Sequence, residues 1–331
     1  MASQNDIARA AGVSQSVVSR VLNGRAAEFG IAAETVARVE QVAATLGYRP
    51  DPAATMLLGR ASRLVGVAVR SFDDPFLATI LQELNRRARA AGCTLLVTGL
   101  EDGADPGVDA VRQLQRYRPD ALIVVGTTDF QAWPADLFAA TRPLVQIGLP
   151  SADARVLTCG IDEPAAATAL VRHLHAAGHT RLAVVGDATA VSATRARLLA
   201  AAATALGVTL SADHRFLGAD PRVAGPAVAA QRIAETPADR RPTAVVATDD
   251  LIAVAFIQAL AAHGLAVPTA LAVAGYDDVP LAALARPALT TIRQPVRELA
   301  AAAMDLATGH AAPASTLLPG ELIVRASSAR A

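Results

Sequence analysis

A small all-α helix-turn-helix head followed by an α/β core of two doubly wound parallel-sheet lobes is the architecture that this 331-residue sequence predicts. Three observations lead there. Residues 3–23 carry two short amphipathic helical patterns separated by a glycine. From Leu64 onward, short apolar runs alternate with amphipathic helical ones, and the alternation comes in two series. Short apolar runs between helices mark strands of parallel sheets covered by helices on both faces.

In the head, SQNDIARAAGVSQSVVSRVLN places Ile7, Ala8, Ala11, Val17, Val18, Val21 and Leu22 on one face of two helical segments. Ser3 is positioned to cap the first, with Asp6 three residues on as a capping-box partner near the positive helix end. Gly12 breaks that helix, and Ser14 offers an oxygen to the amides that open the second. Such a pair forms a helix-turn-helix, whose second helix fits the DNA major groove; the same hairpin also occurs as plain packing. The second helix, from Ser14, presents Gln15, Ser16, Ser19, Arg20 and Asn23, small polar groups and one guanidinium suited to base edges and phosphates. After Asn23 the loop GRAAEFGIAAETV leads to a helix without a Ser or Thr cap, in which Val36, Val39, Val42, Ala43 and Leu46 close a small core before Gly47. Next, YRPDPAATMLLGRASR reads as a short helix with Asp51 as cap and Pro52 in its first turn, or as a plain linker.

The body's strands are LVGVAV, TLLVTG, ALIVVG and PLVQIG, then RLAVVGD, FLGAD, AVVATDD and LAVAGYDD. The chain is expected to cross between lobes near Cys159–Ile161, Thr290–Gln294 and Leu317–Leu322. Ligand chemistry in such folds gathers at the carboxyl ends of the strands. There the sequence sets Asp73, Asp74 and Phe76; Arg195 and Arg197; Asp249 and Asp250; Asp277 and Asp278; and Gln294 on a crossover. Carboxylates accept hydroxyl hydrogen bonds, a guanidinium donates a fork and an aromatic face covers a ring, a set suited to a small polyhydroxylated or anionic ligand. Asp250 and Asp278 read as helix caps, and Phe76 also fits a core position.

Formal net charge is zero, so any DNA affinity must come from a local patch such as Arg9, Arg20 and Arg25, and non-specific affinity should be modest. The chain has no lysine. Its two cysteines, Cys93 and Cys159, are too few for a disulfide framework and suit a reducing cytoplasm. No apolar signal region opens the chain and no apolar run reaches spanning length, so a soluble cytoplasmic protein with no membrane partner is expected.

The string IARAAGVSQSVVSRVLNG resembles the start of LacI/GalR-family bacterial transcriptional regulators, with Val17 where that family usually has threonine. The resemblance implies a DNA-binding domain at 1–47, a hinge helix or linker at 48–62, and an effector-binding and dimerisation domain at 63–331 with a periplasmic-binding-protein-like fold. Its N-lobe would hold about 63–160 plus 293–318, and its C-lobe about 161–292 plus 319–331. By the same resemblance, Leu57 is the apolar wedge for a minor-groove step, with Ala54 beside it, and Leu58 departs from an often basic position. Among the cleft candidates the resemblance raises Arg197, Asp249 and Asp277 as effector contacts, and Phe76 and Gln294 less. Gly148 stands where sugar-binding relatives often have Asp, and Asp220 where many have a stacking aromatic.

His173, His175 and His179 in TALVRHLHAAGHTRLAVV match ordinary helix-to-strand positions of that family, with Gly178 breaking the helix, so no metal is expected. No GxSxG elbow, HExxH, phosphate loop or dinucleotide fingerprint occurs, and neither enzyme activity nor a cofactor is expected. The sequence therefore predicts a transcriptional regulator, a repressor. It is expected to bind a near-palindromic operator as a homodimer and to answer to a sugar, sugar acid or polyol. A solute-binding protein of a transport system, without a DNA role, is the alternative, and a secretory signal would favour it. No heptad tail follows Val324, so a tetramer through a C-terminal leucine helix is not expected.

Overall fold

The computed structural model describes residues 2–48, 61–100, 107–126, 130, 133–139, 143–218 and 224–329. Ala54, Leu57, Leu58 and Asp220 lie outside them. The chain divides into two compact units, residues 1–62 and 63–331.

Among the described residues, the first unit holds three α-helices: α1 (Gln4–Ala11), α2 (Gln15–Leu22) and α3 (Ala33–Thr45), with a 3-10 turn at Ala27–Phe29 in the loop between the last two. Ser3 and Asp6 form the full capping box, since Ser3 Oγ accepts from the Asp6 amide at 3.3 Å and Asp6 Oδ2 from the Ser3 amide at 2.9 Å. Ser14 Oγ accepts from the Val17 amide at 3.3 Å and so starts α2. No side chain caps α3. Ile7, Val18 and Val39, one from each helix, are fully buried against each other's neighbours Ala8, Ala11, Val21 and Ala43. Arg38 Nε donates to the Ala11 carbonyl at 3.1 Å, satisfying one of the open acceptors at the end of α1.

The second unit carries three sheets. A six-stranded parallel sheet has the order β11-β5-β4-β3-β1-β2, from β1 (Leu64–Val69), β2 (Thr94–Gly99), β3 (Ala121–Val125), β4 (Leu144–Ile147), β5 (Val156–Ile161) and β11 (Thr316–Leu318). A four-stranded parallel sheet has the order β7-β6-β8-β9, from β6 (Leu182–Asp187), β7 (Arg215–Gly218), β8 (Ala244–Ala247) and β9 (Ala272–Ala274). β10 (Thr291–Arg293) and β12 (Glu321–Ile323) pair antiparallel between them in sequence terms, each leading out of or into a crossover. Every residue of β3 and of β8 is buried, as a strand covered on both faces requires.

Helices α4 (Pro75–Ala90), α5 (Val108–Gln115), α6 (Ala135–Ala139) and α12 (Val296–Thr308) cover the first sheet. Helices α7 (Glu163–Ala176), α8 (Ala190–Ala205), α9 (Ala224–Glu235), α10 (Asp250–Ala262) and α11 (Pro280–Leu284) belong to the second lobe. The chain passes from β5 into α7, returns from β10 into α12, and crosses again between β11 and β12. One apolar cluster runs through these passages, from Val67 and Ile123 by way of Ile161 and Ile292 to Tyr276 and Val184. The lobes thus share a core, and the carboxyl ends of both sheets open on the same cleft.

Gly12 ends α1 with φ at +67°, and no heavy atom lies within 4 Å of where its Cβ would stand. The cost of a side chain there is conformational alone. Gly12→Ala should therefore destabilise the head by about 1–2 kcal/mol and Gly12→Asn by less. Hydrogen exchange at the α1 amides of the full chain reads this; equal losses for both variants would contradict it.

Candidate functional site

Two sites follow from these elements. In the head, α2 buries Val18 and Val21 and turns Gln15 and Ser16 to solvent, with Ser19, Arg20 and Asn23 half-buried along the flank. Gln15 Nε2 donates to Gln4 Oε1 at 2.7 Å, and Asn23 Nδ2 to Ser19 Oγ at 3.2 Å, so the polar row is tied to α1 and to itself. Arg20 lies over the Phe29 ring at 4.0 Å, and Arg25 over the same ring at 5.1 Å while pairing with Glu28 at 2.7 Å. Phe29 sits on the 3-10 turn, so the loop after Asn23 supplies a platform for the guanidinium.

In the body, the cleft between the lobes holds about 660 Å³ of empty space, part of it open to solvent. Its N-lobe wall includes Arg70, Asp74 and Phe76, with glycines 126 and 148 at the ends of β3 and β4. Asp74 caps α4 by accepting from the Phe76 amide at 2.9 Å, and it pairs with Arg70 Nη2 at 3.0 Å. Arg70 Nε is buried without a partner. Gly160 of β5 lies against the Gly148 carbonyl so closely that no Cβ fits.

The C-lobe wall is built around Arg195 on α8, only 6% exposed. Its Nη2 meets Glu163 Oε1 at 3.1 Å, its Nη1 donates to the Thr248 carbonyl at 2.7 Å and reaches Asp277 Oδ1 at 3.4 Å, and its plane covers the Tyr276 ring at 3.7 Å. Tyr276 donates to Glu163 Oε2 at 2.6 Å, and Gln294 Nε2 to Asp277 Oδ1 at 2.6 Å. Burial works against the Arg195 charge, but Glu163, Asp277 and Tyr276 outweigh it and hold the guanidinium above the usual arginine value. Burial pushes the Asp277 carboxyl well above its ordinary range, with Arg195 opposing.

Asp187, at the end of β6, accepts on Oδ1 from the Thr189 amide at 3.1 Å, the Thr189 hydroxyl at 2.5 Å and the Ser192 hydroxyl at 2.5 Å. Because Ser192 gives its proton to Asp187, Thr248 donates to Ser192 across their 2.7 Å contact. Asp249 caps α10, accepting from the Ile252 amide at 2.7 Å. Burial, with Asp74 and Asp187 nearby, pushes its carboxyl up to about 6. Cys159 lines the cleft with its thiol pushed up to about 12 by burial, so it stays protonated.

Of the sequence candidates, Phe76, Asp249, Asp277 and Gln294 come together in this cleft. Arg197 does not: it is exposed on the outer face of α8, and Arg195 is the guanidinium that the cleft contains. Two residues turn a helix by about 200°, which puts the pair on opposite sides. The phase of Ser192, Leu199, Ala202 and Ala203, all buried, was the signal for Arg195. Asp250 and Asp278 are not the caps expected. Asp249 is the cap, while Asp250 accepts from Thr291 Oγ1 at 2.6 Å and from the Val279 amide at 2.9 Å. Asp278 pairs with Arg293 at 2.7 Å and Arg325 at 2.6 Å. Glu163, Asp187, Thr248 and Tyr276 were not among the candidates. The partners of Glu163, Thr248 and Tyr276 are distant in sequence, and only Asp187, at a strand end with Thr189 and Ser192 just after it, carried a local signal.

His173 bonds Ser328 Oγ at 2.8 Å, and His175 is exposed. Among the described residues no group of three or more His, Cys, Asp or Glu side chains is arranged to hold a metal ion. No helix among them is long and apolar enough to cross a membrane.

A groove-sized recognition helix and an enclosed polar cleft in one chain define a ligand-responsive DNA-binding protein. Comparison with known proteins agrees. The profile described as Bacterial regulatory proteins, lacI family, matches residues 4–51, and that of the Periplasmic binding protein-like domain matches 171–328. The HTH-type transcriptional regulator GalR of Salmonella typhimurium is 30% identical over 96% of this chain and 91% of its own. The HTH-type transcriptional regulator DegA of Bacillus subtilis is 27% identical over 98% and 97%. The crystal structure of the Lac repressor dimer, bound to operator and the anti-inducer ONPF, superposes with a TM-score of 0.82 at 26% identity over 99% of both chains. This chain belongs to the lacI family of bacterial regulatory proteins and is a DNA-binding transcriptional regulator. These relatives are regulators, not enzymes.

Burial pushes the Asp250 carboxyl up to about 7, with Asp278 and Asp249 adding to the rise. A raised carboxyl pKa means that the folded chain binds the proton more tightly, so this contribution to stability is lost as pH rises through about 7. Asp250→Asn, neutral at every pH, should raise Tm by several degrees at about pH 8, by less at about pH 5 and by little below about pH 4, since the loss runs between the unfolded and folded values. A difference from wild type that does not change with pH would contradict this.

Proposed function

We propose that this protein is a cytoplasmic repressor that binds a near-palindromic operator as a homodimer and is switched by a small polyhydroxylated effector in the interlobe cleft. The observation that carries this reading is the polar row of α2, held outward by a buried apolar face, in a chain of the lacI family. Ser14, Gln15, Ser16, Ser19 and Asn23 would meet base edges and phosphates. Arg20, steadied on Phe29, would supply the bidentate contact. Ala54 and Leu57, by their place in the segment 48–62, would act at the minor groove. The dimer and operator seen for the Lac repressor support the assembly. We take 1–47 as the head, 48–62 as the connection and 63–331 as the sensing body.

Phe76, Arg195, Asp249, Asp277 and Gln294 would contact the effector. Asp277 and Gln294 bond across the second crossover, so a ligand that rearranges Asp277 acts on the passage between lobes. Coupling to DNA then follows from linkage: a ligand that prefers one lobe arrangement changes operator affinity by the factor by which operator changes its own.

Fluorescence anisotropy with DNA from upstream of its own coding region, with ligands chosen by thermal shift, tests both halves. Operator should bind about 1,000-fold more tightly than scrambled duplex. Arg20→Ala should weaken operator binding about 10- to 100-fold. Asp249→Asn should remove the ligand response, while Arg197→Ala keeps both binding and response. No preference for operator, or a response lost with Arg197, would overturn the reading.

A further inference from the structure

The cleft's carboxylates and cations do not balance, and the imbalance is local. Arg70 is taken by Asp74, and Arg195 by Glu163, Asp277 and the Thr248 carbonyl. Asp187 and Asp249 make no ion pair among the described residues, with Arg195 acting on Asp249 only at longer range, and each accepts its hydrogen bonds on Oδ1 alone. They stand together. β6 and β8 are neighbours with Val185 opposite Ala247; Asp187 ends β6, Asp249 caps the helix that follows β8, and both line the cleft. Adjacent strands lie about 5 Å apart, so the two carboxylates share one place on the C-lobe wall. Hydroxyls on that wall do not neutralise them: Ser192 and Thr248 are already spent on one another and on Asp187 Oδ1.

We propose that the effector carries an ammonium group that seats between Asp187 and Asp249, and that it is an amine-bearing polyhydroxylated molecule of amino-sugar or aminopolyol class. This rests on the interlobe cleft being the effector site. An organic cation fits better than a bare metal ion, because among the described residues no group of three or more His, Cys, Asp or Glu side chains is arranged to hold one. A sugar acid is disfavoured because its carboxylate would meet the carboxylates of Asp187 and Asp249 on this wall. Hydroxyl oxygens of the ligand would face the N-lobe wall, where Arg70 Nε is a donor without a partner.

Two matched sets test the charge: meglumine, sorbitol and gluconate, and glucosamine, glucose and glucuronate. Each is titrated into the full-length protein by thermal shift and calorimetry at constant ionic strength, with magnesium and calcium chloride as controls. The amine of at least one set should bind about ten-fold or more tightly than its neutral partner, and the acids not at all. Asp249→Asn keeps the helix cap, since Asn caps as well as Asp. It and Asp187→Asn should bring the amine to the affinity of the neutral member. A neutral or acidic member binding as tightly as the amine overturns the ammonium and leaves the cleft as effector site. A metal ion giving the same shift also overturns it. No shift from any organic member overturns both.

Discussion

The body is arranged around one buried charge. Arg195 is enclosed by a carboxylate, a carbonyl, an aromatic face and a second carboxyl, drawn from three separate stretches of chain. Glu163 opens the helix after the first crossover, Thr248 follows β8, and Tyr276 and Asp277 follow β9. Through Gln294 the same cluster reaches the second crossover. Burying ions costs more than their attraction returns unless the geometry is good, and removing one partner of such a set costs about 3–5 kcal/mol. The cluster is therefore a weak source of net stability but a strong constraint on how strands and crossovers meet.

That constraint joins sensing to shape. Glu163, Thr248 and Asp277, which hold Arg195, also line the cleft, so a ligand that met Asp277 or Thr248 there would compete with the bonds that fix the passages between lobes. Asp277 and Asp278 both take positive φ, at 107° and 54°, a conformation that non-glycine residues adopt at a cost of order 1–3 kcal/mol. Their bonds to Arg195, Gln294, Arg293 and Arg325 hold them there. Strain beside a ligand cleft is a state that a ligand can release. The head carries no comparable device: its small apolar core only has to keep one polar row of α2 facing outward.

Local chemistry made much of this legible. The capping box of Ser3 and Asp6, the turn at Gly12, the cap at Ser14 and the uncapped start of α3 all follow from neighbours within four residues. The alternation of strands and helices reveals itself by period. What failed were choices between adjacent residues. Arg195 and Arg197 look alike in a string, and the family resemblance points to the second; helix phase separates them. Asp249 and Asp250 both follow a strand, and which one caps depends on the backbone at the turn. Glu163 reads as an ordinary acidic residue at a helix start, because its guanidinium lies 32 residues away.

Native-state hydrogen exchange on the full-length protein and its Glu163→Gln variant tests the central role of Arg195 most directly. If one buried charge holds both crossovers, exchange should quicken about ten-fold or more in three places. These are the first turn of α7, the Asp277 amide bonded to Ile292, and the Asp162 amide bonded to Leu318. Acceleration confined to the first turn of α7 would contradict it.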